Sequence, residues 1–230
     1  IDGSQCTICW YVDDNKISHQ NPKVIDDVIS KIEAKYGEMS KTRGETHEFL
    51  GMDLEFKKGE AIDFKHKKGK VSIGMKKHIL KAFELFGEDI IKSASTPARG
   101  HLFKVRENAT VLDKEKAEVF HSVTALLLYV SQRSRLDIQA AIGFLTTRVA
   151  NPDVDDWDKL KRVLMYLRGT IDMVLTLGAD DIQKMKSWVD VSYGTHNDCK
   201  SHTGGCNSFG WGVLMTKCQK QKLNTKSSTE

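Results

Sequence analysis

The sequence predicts an α+β protein, and three observations carry that. Apolar residues recur at helical spacing in several separate stretches. A strict alternation runs through Phe49–Phe56, and from Met173 onward the apolar period changes to two. With 230 residues, 40% hydrophobic and 29% charged, the chain can bury a core and is not a disordered composition.

The chain opens on β-formers ending at Tyr11-Val12, followed by Asp13-Asp14-Asn15, and Ile17 resumes the apolar pattern. Short polar side chains tolerate a tight turn, so this predicts a β-hairpin with Asp13 and Asp14 at its tip. Adjacent carboxylates raise each other's pKa unless a cation lies between them. A divalent ion such as Mg²⁺, held by carboxylate oxygens, would relieve that repulsion. The competing reading is an exposed acidic turn.

Asn21-Pro22 then reads as a cap and first-turn proline. Val24, Ile25, Val28, Ile29, Ile32 and Tyr36 follow on one helical face, closed by Gly37. The strand Phe49–Phe56, a short strand at Ile62 and Phe64, and a third at Val71 and Ile73 predict an antiparallel meander with a lysine-rich rim. Ile79, Leu80, Phe83 and Phe86 form a helix closed by Gly87, and Ser95-Thr96-Pro97 a turn. Residues 98 to 116 read as a loop. Helices follow over Val119–Ser131 and over Ile138–Val149, the second capped by Asp137. After the break at Asn151-Pro152, Trp157, Leu160, Val163, Leu164 and Leu167 stripe a third, with Lys159, Lys161, Arg162 and Arg168 on its polar side. Val174–Leu177, Met185–Val191, Phe209–Met215 and Gln221–Thr225 predict strands of a new sheet, with a domain division near residue 180.

Net charge is +4, too small to demand a polyanionic partner, but Lys57 to Lys81 holds nine lysines against Glu60 and Asp63. Lys65, Lys67, Lys68, Lys70, Lys76 and Lys77, with Lys161 and Arg162 as secondary candidates, are either a solvated rim or contacts to a phosphate backbone. Five cysteines without a secretory signal suit free thiols. Cys6 and Cys9 stand three apart on a strand and face opposite sides, so they read as small core residues rather than one metal site. His196, Cys199, His202 and Cys206 could make a tetrahedral zinc site, with a plain loop as the competing reading. Trp10, Trp157, Trp188 and Trp211 read as core anchors. No apolar run reaches membrane-spanning length, which predicts no membrane partner. Without a starting Met or an ending signal, the chain reads as a piece of something longer.

In order and spacing, several signatures resemble the reverse transcriptase–RNase H region of copia-type retrotransposon polyproteins. They are Tyr11-Val12-Asp13-Asp14; Phe49-Leu50-Gly51-Met52; Ser95-Thr96-Pro97; Leu127-Leu128-Tyr129 with Asp137-Ile138; Asn151-Pro152 through Tyr166-Leu167-Arg168-Gly169-Thr170; Asp190-Val191-Ser192-Tyr193-Gly194; and Ser227-Ser228-Thr229-Glu230. The resemblance implies the C-terminal part of a polymerase palm and thumb over 1–97, a helical connection over 98–180, and an incomplete RNase H-like sheet over 181–230. It implies RNA-directed DNA polymerase and RNase H activities, with two Mg²⁺ (or Mn²⁺) per complete site, about 3.5–4 Å apart. Asp13 would bind metal directly, Asp14 would support it, and Tyr11 would lie near the incoming nucleotide or primer end. Asp190 and Glu230 would be metal ligands of the second site.

The implied partners are an RNA template and DNA primer, an RNA–DNA hybrid, deoxynucleoside triphosphates and the rest of the polyprotein. The implied setting is a cytoplasmic particle or the nucleus. A third palm carboxylate and a third RNase H acid find no match in the chain, so the isolated chain is expected to be inactive in primer extension and hybrid cleavage. Two positions depart from the family pattern: Ser192 stands where an Asp is frequent, and Leu136 where a Pro is usual. The rival reading is a non-catalytic remnant of a decayed element, at most a nucleic-acid-binding module.

Overall fold

A computed structural model describes residues 3–57, 69–223 and 227. The predicted strand at Ile62 and Phe64, the candidates Lys65, Lys67, Lys68 and Glu230, and the end of the strand predicted to Thr225 lie outside the described residues.

The first elements are β1 (Thr7–Tyr11) and β2 (Asp14–Ser18), a two-stranded antiparallel hairpin, and α1 (Pro22–Tyr36). As predicted, the Asn21 side chain caps α1 by accepting from the Lys23 N–H, and Gly37 follows its last turn. β3 (Thr46–Phe49) and β4 (Met52–Lys57) come next, so the alternating stretch read as one strand is cut after Phe49. Leu50 and Gly51, at φ 52° and 68°, form the two-residue turn that reverses the chain with two left-handed residues. A Cβ at Gly51 would stand 2.5 Å from Cε1 of His78, so close approach as well as backbone sign demands glycine here.

β5 (Lys70–Gly74) leads into α2 (Lys76–Phe86), which Gly87 closes in the left-handed conformation. α3 (Lys114–Ser131) starts earlier than the apolar period indicates, because Asp113 caps it through the Lys116 N–H and its first turn is polar. A 3-10 turn at Leu136–Ile138 precedes α4 (Gln139–Thr146). α5 (Val154–Gly169) opens on a reciprocal capping box between Asp153 and Asp156. Most of the predicted stripes of α2 to α5 converge in one core: Ile79, Phe86, Phe120, Leu127, Ile142, Leu145, Leu160, Val163, Leu164 and Leu167 are all buried together. Leu80 of the α2 stripe is exposed instead, and of the α1 stripe only Val24 is buried while Tyr36 is exposed. Tyr129 fastens this helical unit to the β3–β4 turn by donating its hydroxyl hydrogen to the Leu50 carbonyl at 2.7 Å.

The last strands are β6 (Leu175–Ala179), β7 (Lys186–Ser192), β8 (His202–Ser208), β9 (Gly210–Trp211) and β10 (Met215–Lys220). β6 does not begin a new sheet. It pairs antiparallel with β5, extending the meander to the order β3-β4-β5-β6-β9, and β9 pairs with β6 across residue 180. The new sheet has the order β10-β8-β7, and its strands do not follow the predicted frames Phe209–Met215 and Gln221–Thr225. Its central strand is His-Thr-Gly-Gly-Cys-Asn-Ser, which has no apolar alternation to read. Pairing on both sides, with β7 and β10, makes it a strand. Trp157 is buried and stacks on Phe86 with centroids 4.5 Å apart, whereas Trp10, Trp188 and Trp211 are exposed and are not core anchors.

Candidate metal and nucleic-acid site

The register of the first hairpin pairs Tyr11 with Asp14 and Trp10 with Asn15, which leaves Val12 and Asp13 as the turn. The turn thus falls one residue ahead of the predicted Asp-Asp-Asn. Val12 has φ 52°, a strained conformation for a β-branched residue. Its carbonyl accepts from the Trp10 indole N–H at 2.7 Å, which ties the turn to the strand. Alternation puts Cys9, Tyr11, Asp14 and Lys16 on one face. Lys16 on that face lies 4.5 Å over the Phe56 ring of β4, and burial pushes its amine below the usual lysine range. Asp13 and Asp14 are exposed, and among the described residues their side chains make no hydrogen bond or ion pair. Cys9 is exposed rather than a core residue, and Cys6 is half-buried.

Asp190 lies on β7 opposite Gly204 of β8, exposed, with no side chain on its partner to cover it. Hard carboxylate oxygens at Asp13 and Asp14 suit Mg²⁺ or Mn²⁺ by donor type, but two ligands do not complete a coordination shell. Among the described residues no three His, Cys, Asp or Glu side chains gather as a metal site.

The described basic candidates are engaged within the protein. Lys70 lies 3.5 Å over the Trp211 ring, Lys76 pairs with Asp172 at 2.7 Å, and Lys77 pairs with Glu48. On α5, Lys161 bonds Glu88 at 2.6 Å, Arg162 bonds the Thr96 hydroxyl at 2.9 Å, and Lys159 bonds the Lys104 carbonyl at 2.7 Å. These three residues peg the 88–104 segment along the helix. Trp157 adds an indole N–H to Glu88, and the Lys161 bond leads in holding that carboxyl below its ordinary pKa.

Two clusters escaped the sequence reading. Asp137 does not cap a helix. It lies in the 3-10 turn and takes two bonds from Arg135, at 3.0 and 2.7 Å, and one from the Tyr166 hydroxyl at 2.7 Å. Arg135 is fully buried and also bonds the Thr170 carbonyl at 2.8 Å. Burial pushes the Asp137 carboxyl up, but the bonds from Arg135 and Tyr166 and the guanidinium charge outweigh it, and the pKa is lowered. The second cluster replaces the zinc reading. His196 Nε2 lies 3.1 Å from His202 Nδ1, and His202 Nε2 lies 3.1 Å from the thiol of Cys218. Cys199 is exposed at φ 57°, and Cys206 sits mid-strand opposite Trp188, so the four residues with zinc-like spacing do not converge. Cys218 was missed because it lies outside that spacing, and only the β8–β10 pairing brings it in.

Among known proteins the chain is similar over nearly its whole length to retrotransposon Pol and Gag-Pol polyproteins, which supports a copia-type retrotransposon polyprotein fragment. It is 27% identical over 96% of its length to the retrovirus-related Pol polyprotein from transposon TNT 1-94 of Nicotiana tabacum, covering 16% of that protein. It is 23% identical over 99% of its length to the transposon TyH3 Gag-Pol polyprotein of Saccharomyces cerevisiae, covering 13% of it. An uncharacterized mitochondrial protein of Arabidopsis thaliana is 24% identical over 96% of the chain, which covers 85% of that relative. The chain therefore spans about a sixth or less of the two polyproteins but most of the third relative. No protein-family model matches the chain, and no solved structure does. No helix among the described residues is long and apolar enough to cross a membrane.

Proposed function

We propose that this chain serves as part of the reverse transcriptase and RNase H region of a retroelement polyprotein. The observation that supports this most is the hairpin tip. It displays Asp13, on a strained two-residue turn, and Asp14, at the start of β2, to solvent, with Tyr11 on the same face as Asp14. In this reading Asp13 and Asp14 supply part of the ligand set for divalent ions, which activate the primer 3′-oxygen and neutralise the triphosphate when bound. Tyr11 shapes the floor beside them. Asp190, displayed on β7, supplies a carboxylate to the RNA-cleaving site. The partners are a template–primer duplex, deoxynucleoside triphosphates and the rest of the polyprotein.

Paramagnetic broadening by Mn²⁺ in the isotope-labelled chain tests this directly. Amides 11 to 16 should broaden at low Mn²⁺ and recover in Asp13→Asn. Broadening that is absent, or that persists unchanged in the variant, sinks the reading.

A second reading rests on the Arabidopsis relative, most of whose length the chain covers. A protein of this extent would act alone as a nucleic-acid-binding remnant. It predicts duplex affinity that falls steeply with salt, as expected when Lys and Arg displace counterions, without any Mn²⁺ effect at the hairpin.

A further inference from the structure

The cluster formed by His196, His202 and Cys218 lies where the three-stranded sheet meets the helices. Phe103 is the contact from the helical side, its ring centroid 4.8 Å from that of His196 and 4.9 Å from that of His202. Phe103 in turn meets Phe144 of α4 edge-on at 5.8 Å. α4 passes close to β10 at Gly143, where an added Cβ would lie 3.4 Å from the Cys218 carbonyl. Asn197 bonds the Val105 carbonyl at 3.1 Å beside the same contact. Both imidazoles are buried, so they form part of the joint itself.

From this geometry we infer that the His196–His202 pair is an acid-sensitive clasp, which docks the β7–β8–β10 sheet on the helical unit while neutral and releases it when protonated. The hydrogen bonds fix the stoichiometry. A neutral His202 carries one N–H, so it donates to one neighbour and accepts from the other. One added proton lets His202 donate on both sides, to His196 Nε2 and to the Cys218 sulfur. A second proton sets N–H against N–H across 3.1 Å and breaks the His–His bond.

The surroundings oppose even the first charge. The helical side offers aromatic rings, Phe103 and Phe144, and the Lys159 ammonium lies 4.6 Å over Phe144. On the sheet side stand Cys218 and Lys220. The nearby carboxylate, Asp198, is already held by Lys220 at 2.8 Å and lies 3.8 Å from Lys200. Burial lowers both histidine pKa values. For His196, the His202 and Lys220 charges add to that, and Asp198 partly offsets it. Below the ordinary histidine value the undocked state thus binds more protons. Docking is therefore fully favoured above that value and weakens as pH falls toward the lowered values.

Amide hydrogen exchange on the 230-residue chain tests the clasp, with rates corrected for intrinsic pH dependence. Protection of β8 and β10, taken relative to α5, should fall by about tenfold or more between about pH 7.5 and about pH 5, on either side of the histidine range. The double variant His196→Gln, His202→Gln should lose that dependence. An unchanged ratio in the wild type overturns the inference, and so does an equal fall in the variant. If the variant does not fold, histidine resonances of the wild type decide. Titration below the ordinary histidine range together with changes in β8 and β10 supports the clasp. Ordinary titration, or no accompanying change, overturns it.

Discussion

The helical unit and the two sheets that display the candidate carboxylates are built on opposite terms. Between α2 and α5 most side chains at the helical stripes have almost no exposure, and even an arginine is buried, with the Asp137 carboxylate and the Thr170 carbonyl and hydroxyl as its acceptors. In β1 every residue is exposed, and β7 is exposed everywhere except Val191. Stability and candidate chemistry reside in different parts of the molecule. The helices hold the chain together, while the acidic residues sit on thin sheets that contribute little apolar burial and stay open to a ligand.

The largest expected effect breaks the helical side of this contrast at a buried charged point. Arg135→Ala leaves Asp137 half-buried without its partner and should cost about 3–5 kcal/mol in urea unfolding. The same network has a pH signature. The folded Asp137 pKa is lowered, so its contribution is present above the ordinary carboxylate value and is lost as pH falls through the lowered value. Asp137→Asn should remove that acid-dependent component; an unchanged acid limb in thermal melts would count against the network.

Leu164→Ala, in the fully buried stripe of α5, should cost about 2–5 kcal/mol. Trp10→Ala on the exposed hairpin should change global stability by no more than about 0.5 kcal/mol. Comparable losses in the two variants would erase the distinction between the regions.

Gly51→Ala probes the seam between a sheet and the helices. It places a methyl against His78 at a left-handed residue, and should cost about 1–3 kcal/mol. Exchange protection should fall first at the β3–β4 turn. The smallest effect sharpens the view of the displayed hairpin. Val12→Gly relieves a strained φ, offset by greater freedom of the unfolded chain, and should change hairpin protection by less than about 1 kcal/mol. A large loss there would mean that the Val12 side chain has a packing role its exposure does not show.

Local pattern alone determined the helices and, for most of the positions in α2 to α5, their inward faces. A stripe such as Leu160, Val163, Leu164 and Leu167 repeats within one element and needs no distant partner to be read. The Asn21 and Gly37 ends of α1 and the Gly87 end of α2 are equally local, as is the acidic hairpin to within one residue of its turn. Tertiary structure decided what depended on pairing or enclosure. β6 joins β5 although Thr176 and Ser72 are far apart in sequence, and β8 becomes a central strand with two glycines in it. Arg135 is buried because Asp137, Tyr166 and Thr170 gather around it, and His202 meets Cys218 because β8 and β10 are neighbours. Periodicity records which side of an element is apolar. It carries no information on which element lies across the contact, because that choice is settled by hydrogen-bonding and burial between segments remote along the chain.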